Sequence, residues 1–422
     1  MKKILFILLI CSFFSINAQT NVEKDIIEVE SKIIEWRRYF HENPELSNRE
    51  FNTAKKIEEH LKGLGLKVET GVAITGVVGI LKGKRPGKVI ALRADMDALP
   101  VTERTDVPFK SKVTAEYMGE QTGVMHACGH DTHIAILMGV AEVLSKNNHF
   151  SGTVKFIFQP AEEGAPPGEE GGAELMVKEG VLENPKVDAI FGLHISAGTD
   201  VGKIEYKPRG IMAASQRFTI KVNGKQTHGS SPWSGVDPIM VSAKIIDGLQ
   251  TIISRESRLT SEAAVITVGK ITSDVRYNII PETAEMIGTI RTLDYDMQKH
   301  INKRMQEMVP AIAAAYNAEA TIEIASGLPI TYNDPDLTEK ILPSLHKAAG
   351  KENVNLIKAI TGAEDFAFFQ KQVPGFYFFL GGKPINEINP APHHTPDFYI
   401  DESGMLLGVK TFTQIVFDYL AN

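Results

Sequence analysis

The order of its short apolar runs does most to restrict the fold of this chain, because they alternate between helical and strand periodicity, change pattern near Arg209 and revert after 327. Before that point, apolar residues recur at helical spacing over 22–39 and 51–61, separated by Asn43-Pro44. β-rich runs follow at 76–81 and 89–92, then a helix at 134–144, a strand at 153–158, a helix at 174–179 and a strand at 189–194. Such alternation predicts an α/β sheet layered by helices. Beyond Arg209 the order becomes strand 217–222, helix 238–254, strands 264–271 and 285–291, helix 297–316 and strand 320–324. That is a split βαβ, or ferredoxin-like, unit. The tail from 327 returns to α/β character and ends in an amphipathic helix at 405–420. The expectation is a two-domain chain: a three-layer α/β domain made of 19–209 and 326–422, interrupted by a βαββαβ domain at 210–325.

The first residues, MKKILFILLICSFFSINAQT, run from two lysines through an apolar stretch to small residues ending at Ala18. This pattern predicts a secretory signal over 1–18 and export to the periplasm or beyond. The apolar run is too short to span a bilayer comfortably, and no later stretch approaches the roughly 20 apolar residues of a transmembrane helix. Cys11 falls inside the signal, and Ile10 before it fits lipoprotein processing poorly. Cleavage would leave Cys128 as the one thiol, so no internal disulfide can form. In an exported protein a lone thiol persists best when buried or held by a metal. The net charge of −7 becomes more negative once Lys2 and Lys3 leave, and no long basic run appears. Nucleic acid is therefore not an expected partner.

The chemistry concentrates in eight residues that hold His126, Cys128, His130, Asp131 and His133. Thiolate, imidazole and carboxylate are the ligands of borderline-soft divalent metals, and Cys128 and His130 can reach one ion from a tight turn. Two other readings stand beside this one. Buried cysteines and histidines are ordinary core residues, and Cys128 could be a nucleophile with His130 as its base. Further donors fall at predicted strand ends, where open α/β sheets place ligands. They are Glu162 and Glu163 in Gln159-Pro-Ala-Glu-Glu-Gly164, His194 at the end of the 189–194 strand, and His393-His394 before Thr395-Pro396. An adjacent glutamate pair is ordinarily a solvated surface feature. At a strand exit flanked by Pro160 and Gly164, Glu163 can instead bind metal while Glu162 takes a proton from water, the division of labour a hydrolase needs.

In order, ALRADMDALP, MHACGHDTH, FQPAEEG, GLHI and HHTP resemble the amidohydrolase branch of the metallo-aminoacylase and carboxypeptidase family, which includes hippurate and auxin-conjugate hydrolases. The resemblance implies a catalytic domain holding two divalent ions, of the Mn, Zn, Co or Ni type, ligated by Cys128, His130, Glu163, His194 and His394. Glu162 would be the general base. Asp97 would support a ligand from behind, although strand-end packing explains it as well. His126, Asp131 and His133 would orient ligands or serve the fold. The inserted domain resembles a lid and dimerisation domain, implying a homodimer. His228 in GKQTHGSSP would approach the substrate, and Asn278 and Arg291 would face its carboxylate. A turn position for Asn278 and a surface charge for Arg291 are the plain alternatives. Trp233 departs from the histidine common after that proline, and the stretch from Ala165 to Gly172 is longer than in some relatives. It reads as a flap or a simple surface loop. The implied reaction is hydrolysis of N-acyl amino acids to a carboxylic acid and a free amino acid. Action on small peptides as a dipeptidase or carboxypeptidase is the alternative within hydrolases. A small-ligand-binding module with a structural metal is the alternative outside them.

Overall fold

The structure, a computed structural model, describes residues 2–273 and 276–421, with side chains from Val22 onward. Two compact units make up the chain. The larger comprises Met1–Pro208, Asn333–Ile357 and Phe368–Asn422, and the smaller Arg209–Tyr332 with Lys358–Ala367. The fold is α/β, as the alternation predicted. The segment Lys358–Ala367, expected with the larger domain, goes with the smaller one because Ile360 N–H donates to Ile211 C=O and Ala213 N–H to Gly362 C=O.

A mixed eight-stranded sheet forms the larger unit, in the order Lys67–Val72, Gly76–Lys82, Ser151–Gln159, Arg85–Asp95, Ala189–Asp200, Gly375–Lys383, Ile204–Tyr206, Val354–Leu356. Its four central strands are parallel. Parallel strands are covered on both faces and so read as continuous apolar runs. The run Phe376 to Leu380 is buried at every position. That strand was not anticipated, because an apolar run without alternation cannot be told from buried helix by periodicity.

Helix His130–Lys146 is buried from His130 through Leu144. It starts a turn before the predicted 134–144, since its polar first turn is held by buried partners rather than by solvent. The helix Lys2–Glu42 runs through the expected signal segment, whose side chains lie outside those described. No helix among the described residues is long and apolar enough to cross a membrane.

In the smaller unit, Ala214–Asn223, Ala264–Thr272, Thr283–Thr292 and Glu319–Ile324 make a four-stranded antiparallel sheet, with Thr283–Thr292 between Ala264–Thr272 and Ala214–Asn223. Helices Pro238–Thr251 and Tyr295–Ala315 complete the βαββαβ order. Asp237 and Asp294 cap these helices by accepting backbone N–H bonds from Ile239 and Met297. Alternate residues Phe218, Ile220 and Val222 enter the core with Ile245 and Ile301, the period-two pattern of a sheet with one covered face.

Candidate metal centre

Four segments of the larger unit, the last carrying His394, bring their donors together beside the central strands. Cys128 and His130 flank Gly129, which begins helix His130–Lys146 at φ 94°. A Cβ on Gly129 would lie 2.3 Å from Ile195 Cγ2, so only glycine lets the chain turn this tightly against the strand. Glu162 and Glu163 follow strand Ser151–Gln159. His194 lies within strand Ala189–Asp200 rather than at its end, because that strand continues pairing with Gly375–Lys383 as far as Asp200. Its pairing with Arg85–Asp95 stops at Gly192, and His194 stands just beyond that opening.

The distances define one constellation. Cys128 Sγ lies 3.4 Å from His194 Nε2 and 3.3 Å from His394 Nε2. Glu163 Oε1 lies 3.1 Å from His394 Nε2 and 3.9 Å from His130 Nε2. Glu162 Oε2 is 3.8 Å from His130 Nε2. Ligand atoms of Cys128, His130 and Glu163 all fall within 4.8 Å of one another. The five proposed ligands and Glu162 thus converge.

The histidine tautomers show which nitrogens are free for a cation. His130 Nδ1 bonds Asp97 C=O at 2.9 Å, and its buried Nε2 has no hydrogen-bond partner among the described residues. His194 Nδ1 donates to Ile195 C=O at 2.6 Å, leaving Nε2 toward Cys128. Both rings therefore have Nδ1 engaged and turn Nε2 toward the site, the orientation of metal-ligating histidines. Two other histidines come close but are already engaged. His393 donates from Nδ1 to Cys128 C=O and accepts Ala197 N–H at Nε2, so His394 is the ligand candidate of that pair. His133 bonds Asp95 through Nδ1 at 2.5 Å and accepts Ile195 N–H at Nε2. It orients the strand and cannot also ligate.

The electrostatics favour a bound cation. Burial opposes a charge on His130, yet Asp95, Asp97 and Glu163 push it up to about 10. That field draws positive charge to Nε2, whether as a proton or a metal ion. Burial, then Glu163 and Glu162, raise the Cys128 thiol well above its usual range. A free thiolate nucleophile is disfavoured there, whereas a coordinated thiolate is stabilised by its ion. The residues fit divalent metal.

Beneath the ligands, Asp97 lies in contact with His130, its Oδ1 3.2 Å from Nδ1, and its Oδ2 accepts Ser47 Oγ–H at 2.7 Å and Glu163 N–H at 3.0 Å. Burial opposes its ionisation, but the bond with His130 holds its pKa below the usual value. Asp131 turns away from the ligands, pairing with Arg37 and His41 at 2.9 Å each. His126 is wholly buried, makes no hydrogen bond to any described residue, and is held neutral by burial with its pKa near 4. It orients no ligand by hydrogen bonding.

One residue at this site escaped the sequence reading. Glu50 accepts Ala161 N–H at 2.9 Å and Thr75 Oγ–H at 2.6 Å. Ala161 has φ 51°, an unfavourable value for alanine, and Glu162 follows it directly. Glu50 and Asp97 therefore fix both ends of the turn that carries Glu162. Burial, then Asp97, push the Glu50 carboxyl up to about 8. Nothing in its local sequence marks it, since the contact spans 111 positions.

The remaining candidates lie in the smaller unit. His228 pairs with Ile279 across a two-stranded ladder, and Gly229 N–H donates to Asn278 C=O, so His228 and Asn278 are neighbours. His228 Nδ1 accepts from Ser230, and the buried Asn278 Oδ1 has no hydrogen-bond partner among the described residues. Arg291 stands on strand Thr283–Thr292 between Ser215 and Val265, and no described contact joins it to the other two. Trp233 is 81% exposed.

The chain matches the model of peptidase family M20/M25/M40 over residues 91–418. It is 42% identical over 390 residues to thermostable carboxypeptidase 2 of Saccharolobus solfataricus, covering 92% of this chain and 95% of that protein. It is 36% identical over 379 residues to N-acetyl-L-cysteine deacetylase of Bacillus subtilis, covering 90% and 86%. A solved Bacillus subtilis structure, described as a dinuclear metal-binding peptidase from the M20 family, superposes with a TM-score of 0.79 at 34% identity, covering 93% of this chain and 99% of that one.

Proposed function

Because the chain belongs to peptidase family M20/M25/M40 and is a metal-dependent amidohydrolase of that family, we propose that it cleaves N-acyl amino acids into a carboxylic acid and a free amino acid. The observation that carries this reading is Glu162, whose Oε2 lies 3.8 Å from Nε2 of His130 on a turn held at both ends by Glu50 and Asp97. Cys128, His130, Glu163, His194 and His394 would hold two divalent ions. Such ions polarise a carbonyl and acidify water. Glu162 takes the proton of the attacking water and delivers it to the leaving amine nitrogen, so that the amide C–N bond breaks and a neutral amine departs. His228, Asn278 and Arg291 are assigned to the substrate's carbonyl and carboxylate, supported by their motifs. The leader pattern supports export, and the resemblance of the inserted domain supports a homodimer.

A second reading has a specific support, the carboxypeptidase name of the Saccharolobus relative. The same residues can attack a peptide bond. Release of free amino acid from N-acetyl and N-benzoyl amino acids, compared with dipeptides, separates the two. Turnover of the acyl amino acids at higher kcat/KM supports the proposal, and turnover of dipeptides alone overturns it.

A further inference from the structure

Next to the ligand set the larger unit holds a cavity of about 240 Å³ whose wall includes Glu163. Leu46, Ala98, Leu99 and Pro100 line it from the body of the domain. Pro166 and Pro167, from the long segment after the glutamate pair, line a second side. The third side is the hairpin Thr114–Tyr117 and Glu120–Gly123, which contributes Tyr117 and Met118.

Met118 is out of place unless its side chain has a use. It and Gly119 form the two-residue loop of the hairpin, with φ 52° and 84°. Two positive φ values in such a loop belong to a turn that prefers Asn-Gly. Here a large apolar side chain occupies the asparagine position and is 75% exposed, against both the backbone preference and the hydrophobic effect. Bonds from Asn48 and Arg49 guide the proline segment opposite. Arg49 donates to both carboxylate oxygens of Glu169 at 2.6 and 3.1 Å, and Asn48 donates to Glu169 and to Glu170 C=O.

We propose that this cavity seats the apolar acyl group of the substrate, an aromatic ring or medium aliphatic chain. The assignment rests on the N-acyl amino acid reading above. Size fits, since a cavity of about 150 Å³ already takes a benzene ring. Charge decides which half of the substrate enters. Arg49, the cation among the described lining residues, is paired with Glu169, Glu116 adds negative charge, and the charge of Glu163 is committed to the ions it would hold. An amino-acid side chain would bring its own carboxylate within two bonds of that acidic wall. The acyl half carries no charge.

The test is kcat/KM for alanine carrying acetyl, hexanoyl or benzoyl groups, and for acetylated alanine, leucine and phenylalanine, with wild type, Met118→Asn and Met118→Leu. Asparagine suits the turn and keeps the hairpin, and leucine keeps the apolar surface. The wild type should prefer benzoyl over acetyl by tenfold or more. Met118→Asn should lower the benzoyl-to-acetyl ratio at least fivefold, chiefly through KM, and Met118→Leu should restore most of it. An unchanged ratio overturns the proposal, as does a change that follows the amino-acid side chain instead of the acyl group. A wild type that is active on these compounds but indifferent to the acyl group overturns this inference and leaves the reaction standing. A wild type inert on all of them overturns both.

Discussion

The carboxylates beneath the metal ligands and those of the segment beside them are bonded in opposite ways. Asp95, Asp97 and Asp131 are fully buried, and each has at least two polar partners, among them His133, His130, Ser47 and Arg37. Glu169 and Glu170 are exposed, and their charged partners Arg49 and Lys178 are about half exposed, the neutral partner Asn48 being buried. A buried carboxylate left without partners is costly, so the first group locks the geometry around it. Solvent competes for the second group, so those bonds guide a loop without fixing it. The site thus has a rigid base and a yielding wall. Precision at the reacting atoms comes from the base, and selectivity for the substrate from the wall.

The difference can be broken most forcefully at a ligand. His130→Ala is expected to abolish metal retention after dialysis and to lower turnover by more than the ~10–100-fold typical of losing a ligand's supporting partner. Metal analysis and kcat check it together, and retained metal would remove His130 from the ligand set. Asp97→Ala acts one bond further out. It should weaken metal affinity by about 10–100-fold while the protein still folds, read by titration with a competing chelator.

Glu50 tests the base from behind. Its carboxyl rises from 4.5 to about 8 in the folded chain. The stability gained by holding that proton is complete below pH 4.5 and is lost as pH rises through about 8. Glu50→Gln keeps an acceptor for Ala161 N–H and cannot ionise. In chelator-treated protein it should flatten the fall in melting temperature over that interval, and an unchanged slope would mean the carboxyl is ionised throughout. The smallest effect belongs to the wall. Arg49→Ala should leave the melting temperature nearly unchanged yet speed proteolytic cleavage between Ala165 and Gly172. Equal cleavage rates would show that the Glu169 pair does not restrain that segment.

The same contrast explains what could be read from the chain. Motif donors such as Cys128 and His130 were legible because their spacing is local, and the βαββαβ unit because its strands alternate. Glu50 was not, since its role exists only once Ala161 is folded against it. His126 sits inside the motif yet hydrogen-bonds to nothing described, which leaves it, of its two expected roles, the one in the fold. The hairpin holding Met118 was missed because its four-residue strands are half exposed and carry no apolar alternation. Strand Gly375–Lys383 was missed for the opposite reason, its run from Phe376 to Leu380 being apolar without alternation.

The central claim is that Glu162 moves the proton while its neighbours hold the metal. Glu162→Gln, measured for metal content and for kcat on an N-acyl amino acid in the same preparation, tests it most directly. The account predicts unchanged metal stoichiometry with kcat lowered by about 10²–10⁴-fold. Full metal content with full activity would contradict it.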